Sequence, residues 1–525
     1  MSLRSRGSVV AGPLRILMVA SEVVGFAKTG GLADVTGSLP RALASRGHRV
    51  AVVMPLYRQV REANLGIERT EHVISVPIGS RTLACRLFRS HLPNSTVPIY
   101  FVEAPEYFDR DNAAERKSLY QQTMPGGYKA DYPDNAERFA FFSRAALEIL
   151  PALGFTPDIV HCNDWQCGLV PVYLSEAMRP WPQLANVRSV FTIHNIAYQG
   201  MFPRDVMRVT GLPGWLFNPQ QLEYHNHLNF MKAGLVFADA VNTVSPTYAR
   251  EIMTAEYGCG LEGLLGQYRD KVSGIVNGVD YGVWDPAIDP FIAAKYDLET
   301  VFEKKPLNKA ELQRQFNLPV DPEKPILGMV ARLVSQKGLD LVMSAAPGFL
   351  DLGCQMVFLG DGDLEYHEQL EQFQARHPTQ VGLYLGFNET LAHLVEAGSD
   401  LFLMPSRYEP SGLNQLYSLK YGTPPVVRAT GGLADTIVNS SEENIAAGTG
   451  TGFSFEAYTA HALYETVKWA LTLYRTRPKD FRQIVRTAMQ QDWSWGRSAA
   501  EYETLYRKLV EPTLSHPASS AAFEI

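Results

Sequence analysis

Short apolar runs of strand length alternate along the chain with stretches of helical period, and the alternation comes in two series. In the first, residues 15–21 (RILMVAS), 48–55, 97–104, 158–164, 187–194 and 239–245 read as strands, and 32–46, 136–150, 168–178 and 221–236 as helices. The second begins after VSGIVNGVD: residues 325–333, 354–363, 381–387, 400–406 and 423–429 read as strands, separated by helices at 338–346, 364–375 and 389–397. Nearly continuous apolar strands joined through helices are the pattern of parallel sheets covered on both faces. The expected fold class is therefore α/β, with two Rossmann-like doubly wound domains, 14–275 and 276–490, facing a central cleft. Residues 277–308, rich in Asp, Pro and Tyr, read as the linker between them and the entry to the second. A C-terminal helix in 491–512 reads as a crossing or capping element, and 1–13 and 513–525 as a disordered leader and tail.

Composition narrows the function. With 525 residues, 46% of them hydrophobic, full cores can be buried. Lysine and arginine number 48 against 55 acidic residues, for a net charge of −7, so no general basic surface exists to hold nucleic acid or an anionic membrane. An anionic ligand must be held by local groups. No apolar run approaches the ~20 residues of a membrane span. The cysteines, Cys85, Cys162, Cys167, Cys259 and Cys354, form no C-x-x-C pair, which fits a reducing compartment without structural zinc.

An internal echo supplies such groups: TGGLADV begins at Thr29 and TGGLADT at Thr430. Each copy follows a predicted strand and opens a predicted helix. A lone Gly-Gly would be a tight turn and no more, but two copies in two doubly wound units favour an anion cradle, with backbone N–H groups of Gly30, Gly31, Gly431 and Gly432 at helix N-termini. Cations stand nearby. Lys28 precedes the first copy, and Arg332 and Lys337 in ARLVSQKG project at the carboxyl edge of the second sheet, where ligands bind in open α/β folds. Glu409, between Pro405 and Pro410 in PSRYEPSG, sits on the same edge and suits hydrogen bonds from sugar hydroxyls better than an anion. In the first series His194 and Asn195 end an apolar strand and read as site residues. His161 reads as structural, and Asp164 as either a site acid or a helix N-cap.

Together KTGGLADV, HCNDWQCGL, TIHNIAYQG, NFMKAG, GCGLEGLL, IVNGVDYGVWDP, ARLVSQKG, PSRYEPSGLNQLYSLKYG and ATGGLADT, in this order, resemble the bacterial glycogen synthases and plant starch synthases over residues 15–495. The resemblance implies the GT-B architecture. It also implies transfer of glucose from ADP-glucose, with retention, to the 4-hydroxyl at the non-reducing end of an α-1,4-glucan, with no cofactor. By position, Lys28 matches the family's donor-binding lysine, and Arg332 and Lys337 the pair that neutralises the ADP phosphates. Glu409 matches the acid on the donor glucose, His194 the histidine beside the sugar, Asn195 its neighbour, and Asp164 the acid on the acceptor side. Gly30, Gly31, Phe387, Ser411, Gly412, Tyr417, Thr430, Gly431 and Gly432 complete the donor set.

The chain departs from the family's pattern at several positions. Ser411 replaces the usual bacterial cysteine, Asn163 and Gln166 stand where many members have histidine, and Phe387 replaces the tyrosine that stacks on adenine. Tyr417 stands where related GT-B enzymes often carry a second glutamate, so an acidic ribose contact is not carried over. No carboxylate nucleophile and no Asp-x-Asp at a strand end near these motifs is evident, which points to metal-free, front-face transfer. Alternatives of other classes are a non-catalytic glucan-binding regulator, a synthase preferring UDP-glucose, a nicotinamide-dependent dehydrogenase and a pyridoxal-phosphate phosphorylase. The dehydrogenase lacks its G-x-G-x-x-G, and the phosphorylase its cofactor lysine motif. The expected location is the bacterial cytoplasm, or a plastid only if a transit peptide has been trimmed.

Overall fold

The computed structural model describes residues 12–110, 119–124, 129–177 and 181–511. The expected tail and nearly all of the expected leader lie outside the described residues. The chain divides into two compact units: Met1–Asn242 with Leu264–Val272 and Ala499–Ile525, and Thr243–Gly263 with Ser273–Ser498.

In the first unit a nine-stranded sheet runs Val272–Gly274, Ala240–Thr243, Arg188–Ile193, Ile159–Asn163, Arg15–Val19, Arg49–Pro55, Pro98–Glu103, Arg81–His91, Glu68–Ile78. Arg15–Val19 is parallel to both neighbours, with Leu17 opposite Ala51 on one side and Val160 on the other. Ile16, Leu17, Met18 and Val19 have no solvent exposure, as expected for a central strand covered on both faces. The chain order reverses between Arg15–Val19 and Ile159–Asn163. That reversal creates a crevice at their carboxyl ends, into which the segments after Val19 and Asn163 emerge.

The second unit holds a six-stranded, all-parallel sheet in the order Val381–Leu385, Gln355–Gly360, Ile326–Val330, Leu401–Met404, Pro425–Arg428, Phe453–Phe455. Numbered along the chain this is 3-2-1-4-5-6, the doubly wound order, with its switch point between Ile326–Val330 and Leu401–Met404. Alternate strand residues feed two cores. Leu327, Met329, Leu401 and Leu403 pack with Leu339, Phe349 and Leu463, whereas Ile326, Phe402 and Met404 pack with Leu312, Leu394 and Leu416.

Two expectations change. Residues 221–229 are not helical: Glu223–Tyr224 and His227–Asn229 pair as an antiparallel hairpin, and the helix is only Phe230–Phe237. The turn residues His225 and Asn226 both take positive φ, 47° and 61°, as a two-residue hairpin loop requires. The 168–178 stretch, which follows the 3₁₀ turn Trp165–Cys167, is not one regular helix: it holds the short α segment Val170–Val172 and the π-helical turn Tyr173–Ala177, and its expected last residue lies outside the described residues. Helix Val301–Gln315 begins within the 277–308 segment. The C-terminal helix is Trp495–Val510, and from Ala499 it counts with the first unit. No helix among the described residues is long and apolar enough to cross a membrane, and none of the five cysteines forms a disulfide.

Candidate active site

In the second unit the switch point gathers the donor-side candidates. Arg332 follows strand Ile326–Val330, and Lys337 closes the turn Ser335–Lys337 ahead of helix Leu339–Asp351. From the adjacent strand Leu401–Met404, the loop through Glu409 returns to the same edge. Lys337 Nζ lies 2.6 Å from Glu409 Oε2, with side chains 18% and 8% exposed, and Ser406 Oγ donates to the same oxygen at 3.0 Å. Arg332 is exposed and makes no side-chain hydrogen bond or ion pair among the described residues. Other bonds fix the loop. The Arg407 N–H donates to the Gln336 carbonyl at 2.8 Å, Gln336 Nε2 donates to the Tyr408 carbonyl at 3.1 Å, and Arg428 Nη1 donates to the Arg407 carbonyl at 2.8 Å. Phe387, beyond strand Val381–Leu385, is 70% exposed.

The second TGGLAD departs from expectation. The Gly431 N–H donates to Glu251, 3.0 Å from Oε1, and the Gly432 N–H donates at 3.1 Å to the carbonyls of both Glu409 and Pro410. These donors are satisfied inside the unit and do not form an open anion cradle. The glycines are needed for another reason: a Cβ on Gly431 would overlap the Glu409 carbonyl oxygen, and one on Gly432 the Ser411 carbonyl oxygen. The glycine pair is the seat on which the Glu409–Ser411 backbone rests. Ser411 itself is buried, and its hydroxyl has no hydrogen-bond partner among the described residues. Tyr417 stacks flat on Trp284, centroids 3.9 Å apart, and Trp284 stacks on His393 at 3.7 Å. That ring is a packing element beneath the edge, with its Trp284 face unavailable to a donor.

In the first unit, Lys28 precedes helix Gly31–Ser45 and pairs with Asp34 in its first turn at 2.7 Å. Gly30 is the N-cap, and a Cβ there would meet nothing within 4 Å. The turn is held by Glu22, which composition and motif reasoning missed. Its buried carboxylate accepts the Thr29 N–H at 2.5 Å, the Thr29 hydroxyl at 2.6 Å and the Tyr120 hydroxyl at 2.7 Å. Burial pushes the Glu22 carboxyl up, against the pull of these hydrogen bonds. The only sequence signal was a lone acid ending an apolar strand.

At the end of Ile159–Asn163, Asp164 holds positive φ (56°) and turns the chain into Trp165. Its Oδ1 accepts the His194 N–H at 2.7 Å, and burial drives its carboxyl up to about 7. His194 is 9% exposed, and burial pushes its imidazole down to about 3, so it is neutral near pH 7. Asn163 donates through Nδ2 to the Val19 carbonyl at 3.1 Å, which leaves its Oδ1 to accept from His194 Nε2–H at 2.9 Å. Asn195 Oδ1 is turned onto its own loop, accepting the Ala197 N–H at 3.0 Å. His161 lies between Tyr506 (2.7 Å) and Thr192 (2.6 Å), fully buried, as a structural histidine.

Residues 15–267 match the starch synthase catalytic domain, and 311–487 match glycosyl transferases group 1. A glycogen synthase of Anaeromyxobacter dehalogenans (strain 2CP-1) is 48% identical over 500 residues, spanning 95% of this chain and 99% of that protein. The chain belongs to the glycogen and starch synthase family. A glycogen synthase of Rhodopirellula baltica is 44% identical over 508 residues, covering 95% of this chain and 98% of the relative. The catalytic domain of starch synthase IV from Arabidopsis thaliana, solved bound to ADP and acarbose, superposes with TM-score 0.85 at 32% identity, over 95% of this chain and all of that one. A sucrose-phosphate synthase from Thermosynechococcus elongatus, TM-score 0.56 at 17% identity, shares the fold alone. As a member of the glycogen and starch synthase family the chain is a glucosyltransferase of GT-B fold.

Proposed function

We propose that the protein transfers glucose from ADP-glucose to the non-reducing 4-hydroxyl of an α-1,4-glucan, with retention and release of ADP. The observation that carries the donor side is the convergence of Arg332, Lys337 and Glu409 on the switch point of a 3-2-1-4-5-6 sheet. Breaking the sugar–phosphate bond builds positive charge on glucose and negative charge on the diphosphate. A guanidinium and an ammonium fixed where that negative charge develops stabilise the transition state more than the ground state. Arg332 can grip a phosphate in a bidentate fork. Lys337, with three donors, can hold Glu409 and a phosphate oxygen together. Glu409 already accepts from Lys337 and Ser406, so its assigned task is to fix the donor sugar's hydroxyls, not to attack the sugar.

With no carboxylate assigned as nucleophile, the leaving phosphate oxygen takes the acceptor's proton on the same face. No metal enters this scheme. On the first unit, Lys28 contributes charge toward the donor, and the neutral His194 and Asn195 contribute hydrogen bonds to the sugar. Asp164 serves the acceptor. The test is incorporation of glucose into glycogen from ADP-glucose with one ADP released for each glucose added.

The Asp164 assignment gives a pH dependence. A carboxyl raised to about 7 keeps its proton through the range where an ordinary aspartate is ionised. If the carboxylate is the working form, kcat/KM for glycogen falls about tenfold per pH unit below that value and is level above it. Asp164→Asn should lower the plateau and remove the bend, as read from initial rates between pH 5.5 and 8.5. A wild-type profile that is flat across that range contradicts the assignment.

A further inference from the structure

The two copies of TGGLAD share a feature that their sequence does not contain. In each, a glutamate from elsewhere in the chain clamps the threonine that opens the motif: Glu22 on Thr29, and Glu251 on Thr430. In the second copy Glu251 Oε1 accepts the Thr430 hydroxyl at 2.9 Å and the Gly431 N–H at 3.0 Å, while Oε2 lies 3.1 Å from the same N–H. The clamp is reciprocal. Glu251 ends the short helix Pro246–Glu251, and the start of that helix is capped in turn by Asp435 from the TGGLAD helix Gly431–Thr436. Asp435 accepts the Ser245 hydroxyl, the Thr247 N–H at 3.0 Å and the Thr247 hydroxyl at 2.6 Å. Each helix thus offers an acid near its end to the unsatisfied N–H groups at the other's start, where the other helix's dipole favours a negative charge.

We propose that Glu251 is a positioning residue for the donor-side loop: by clamping Thr430 and Gly431 it fixes the glycine pair on which the Glu409–Ser411 backbone is seated. The inference rests on the donor-side role given above to Lys337 and Glu409. The connection is continuous. From Glu251 it passes to Gly431, then through the Gly432 N–H to the carbonyls of Glu409 and Pro410, and so to the carboxylate that holds Lys337. Arg428 supports the same loop from beside it. Its Nη1 donates to the Arg407 carbonyl, and its Nη2 donates at 3.0 Å to the hydroxyl of Tyr257, which belongs to the segment that carries Glu251. Burial pushes the Glu251 carboxyl up, but the N–H and hydroxyl donors pull it back, as expected for a carboxylate kept for its accepting oxygens.

Glu251→Gln keeps the shape but turns one acceptor oxygen into an NH₂ group set against the Gly431 N–H, a donor facing a donor. We expect kcat/KM for the donor to fall about tenfold or more, with the KM for glycogen unchanged, because a loop displaced by less than an ångström misplaces the reacting groups. Thr430→Val should lose a smaller factor in the same parameter, and the double variant should be no worse than Glu251→Gln alone, because both act through one contact. Thr430→Val also carries the test should Glu251→Gln fail to fold. Donor kcat/KM within twofold of wild type in Glu251→Gln, losses that multiply in the double variant, or a matching rise in the KM for glycogen would overturn the proposal. Lys337→Ala assayed beside them separates the two levels. If it is inactive while Glu251→Gln is normal, only the positioning role fails, whereas a fully active Lys337→Ala removes the donor-side reading beneath it.

Discussion

Lys337→Ala is expected to lower kcat for glucosyl transfer about 10³-fold, some 4 kcal/mol of transition-state stabilisation, while the folded state survives. The ammonium stands at the switch point of the second unit, 2.6 Å from Glu409, and is only 18% exposed. Water therefore screens it less than a surface lysine, and it needs little reorganisation to meet a departing diphosphate. Its removal also leaves the Glu409 carboxylate, 8% exposed, with Ser406 as its remaining hydrogen-bond donor among the described residues. An uncompensated buried carboxylate repels the anionic donor, so donor KM should rise as well. Steady-state rates with varied donor, beside a circular-dichroism melt, check both parts. Turnover within tenfold of wild type would remove Lys337 from the leaving-group role.

Gly431→Ala is expected to be nearly as severe for a different reason. Gly431 has φ 45°, in the left-handed region, and its added Cβ would overlap the carbonyl oxygen of Glu409. The backbone strain alone costs about 1 kcal/mol. The overlap cannot be relieved by a side-chain rotation, because the obstructing atom belongs to the loop's main chain, so the Glu409 loop must lift. An ångström of misplacement costs on the order of 100-fold in rate. The expected result is a loss of about that size in kcat, with a melting temperature lowered by a few degrees. A variant that melted earlier but turned over normally would show that the seat beneath Glu409 has no catalytic consequence.

These two sites mark where the sequence was legible and where it was not. The parallel strands were readable because their apolar runs are continuous: Ile16 to Val19 are buried on both faces, and Leu401 to Met404 serve two cores at once. The placement of Arg332, Lys337 and Glu409 was readable because it needs only that strands end where apolar runs end. The hairpin at 223–229 was misread as helix because its turn depends on positive φ at His225 and Asn226, a choice that apolar spacing does not encode. The second TGGLAD was misread as an open cradle because its partner, Glu251, lies some 180 residues away along the chain. Glu22 was missed for a related reason. A buried acid bonded to Thr29 and Tyr120 carries no local periodicity. Tyr417, placed in the donor set by position, is stacked on Trp284, a contact that motif position does not encode.

The central claim is the reaction itself, and the most direct measurement is initial-rate incorporation of labelled glucose into glycogen, with ADP-glucose and UDP-glucose compared at equal concentration. The account predicts rapid incorporation from ADP-glucose, one ADP released per glucose, α-1,4 linkage in the product, and much slower use of UDP-glucose. Incorporation from neither donor, or faster incorporation from UDP-glucose, would contradict it.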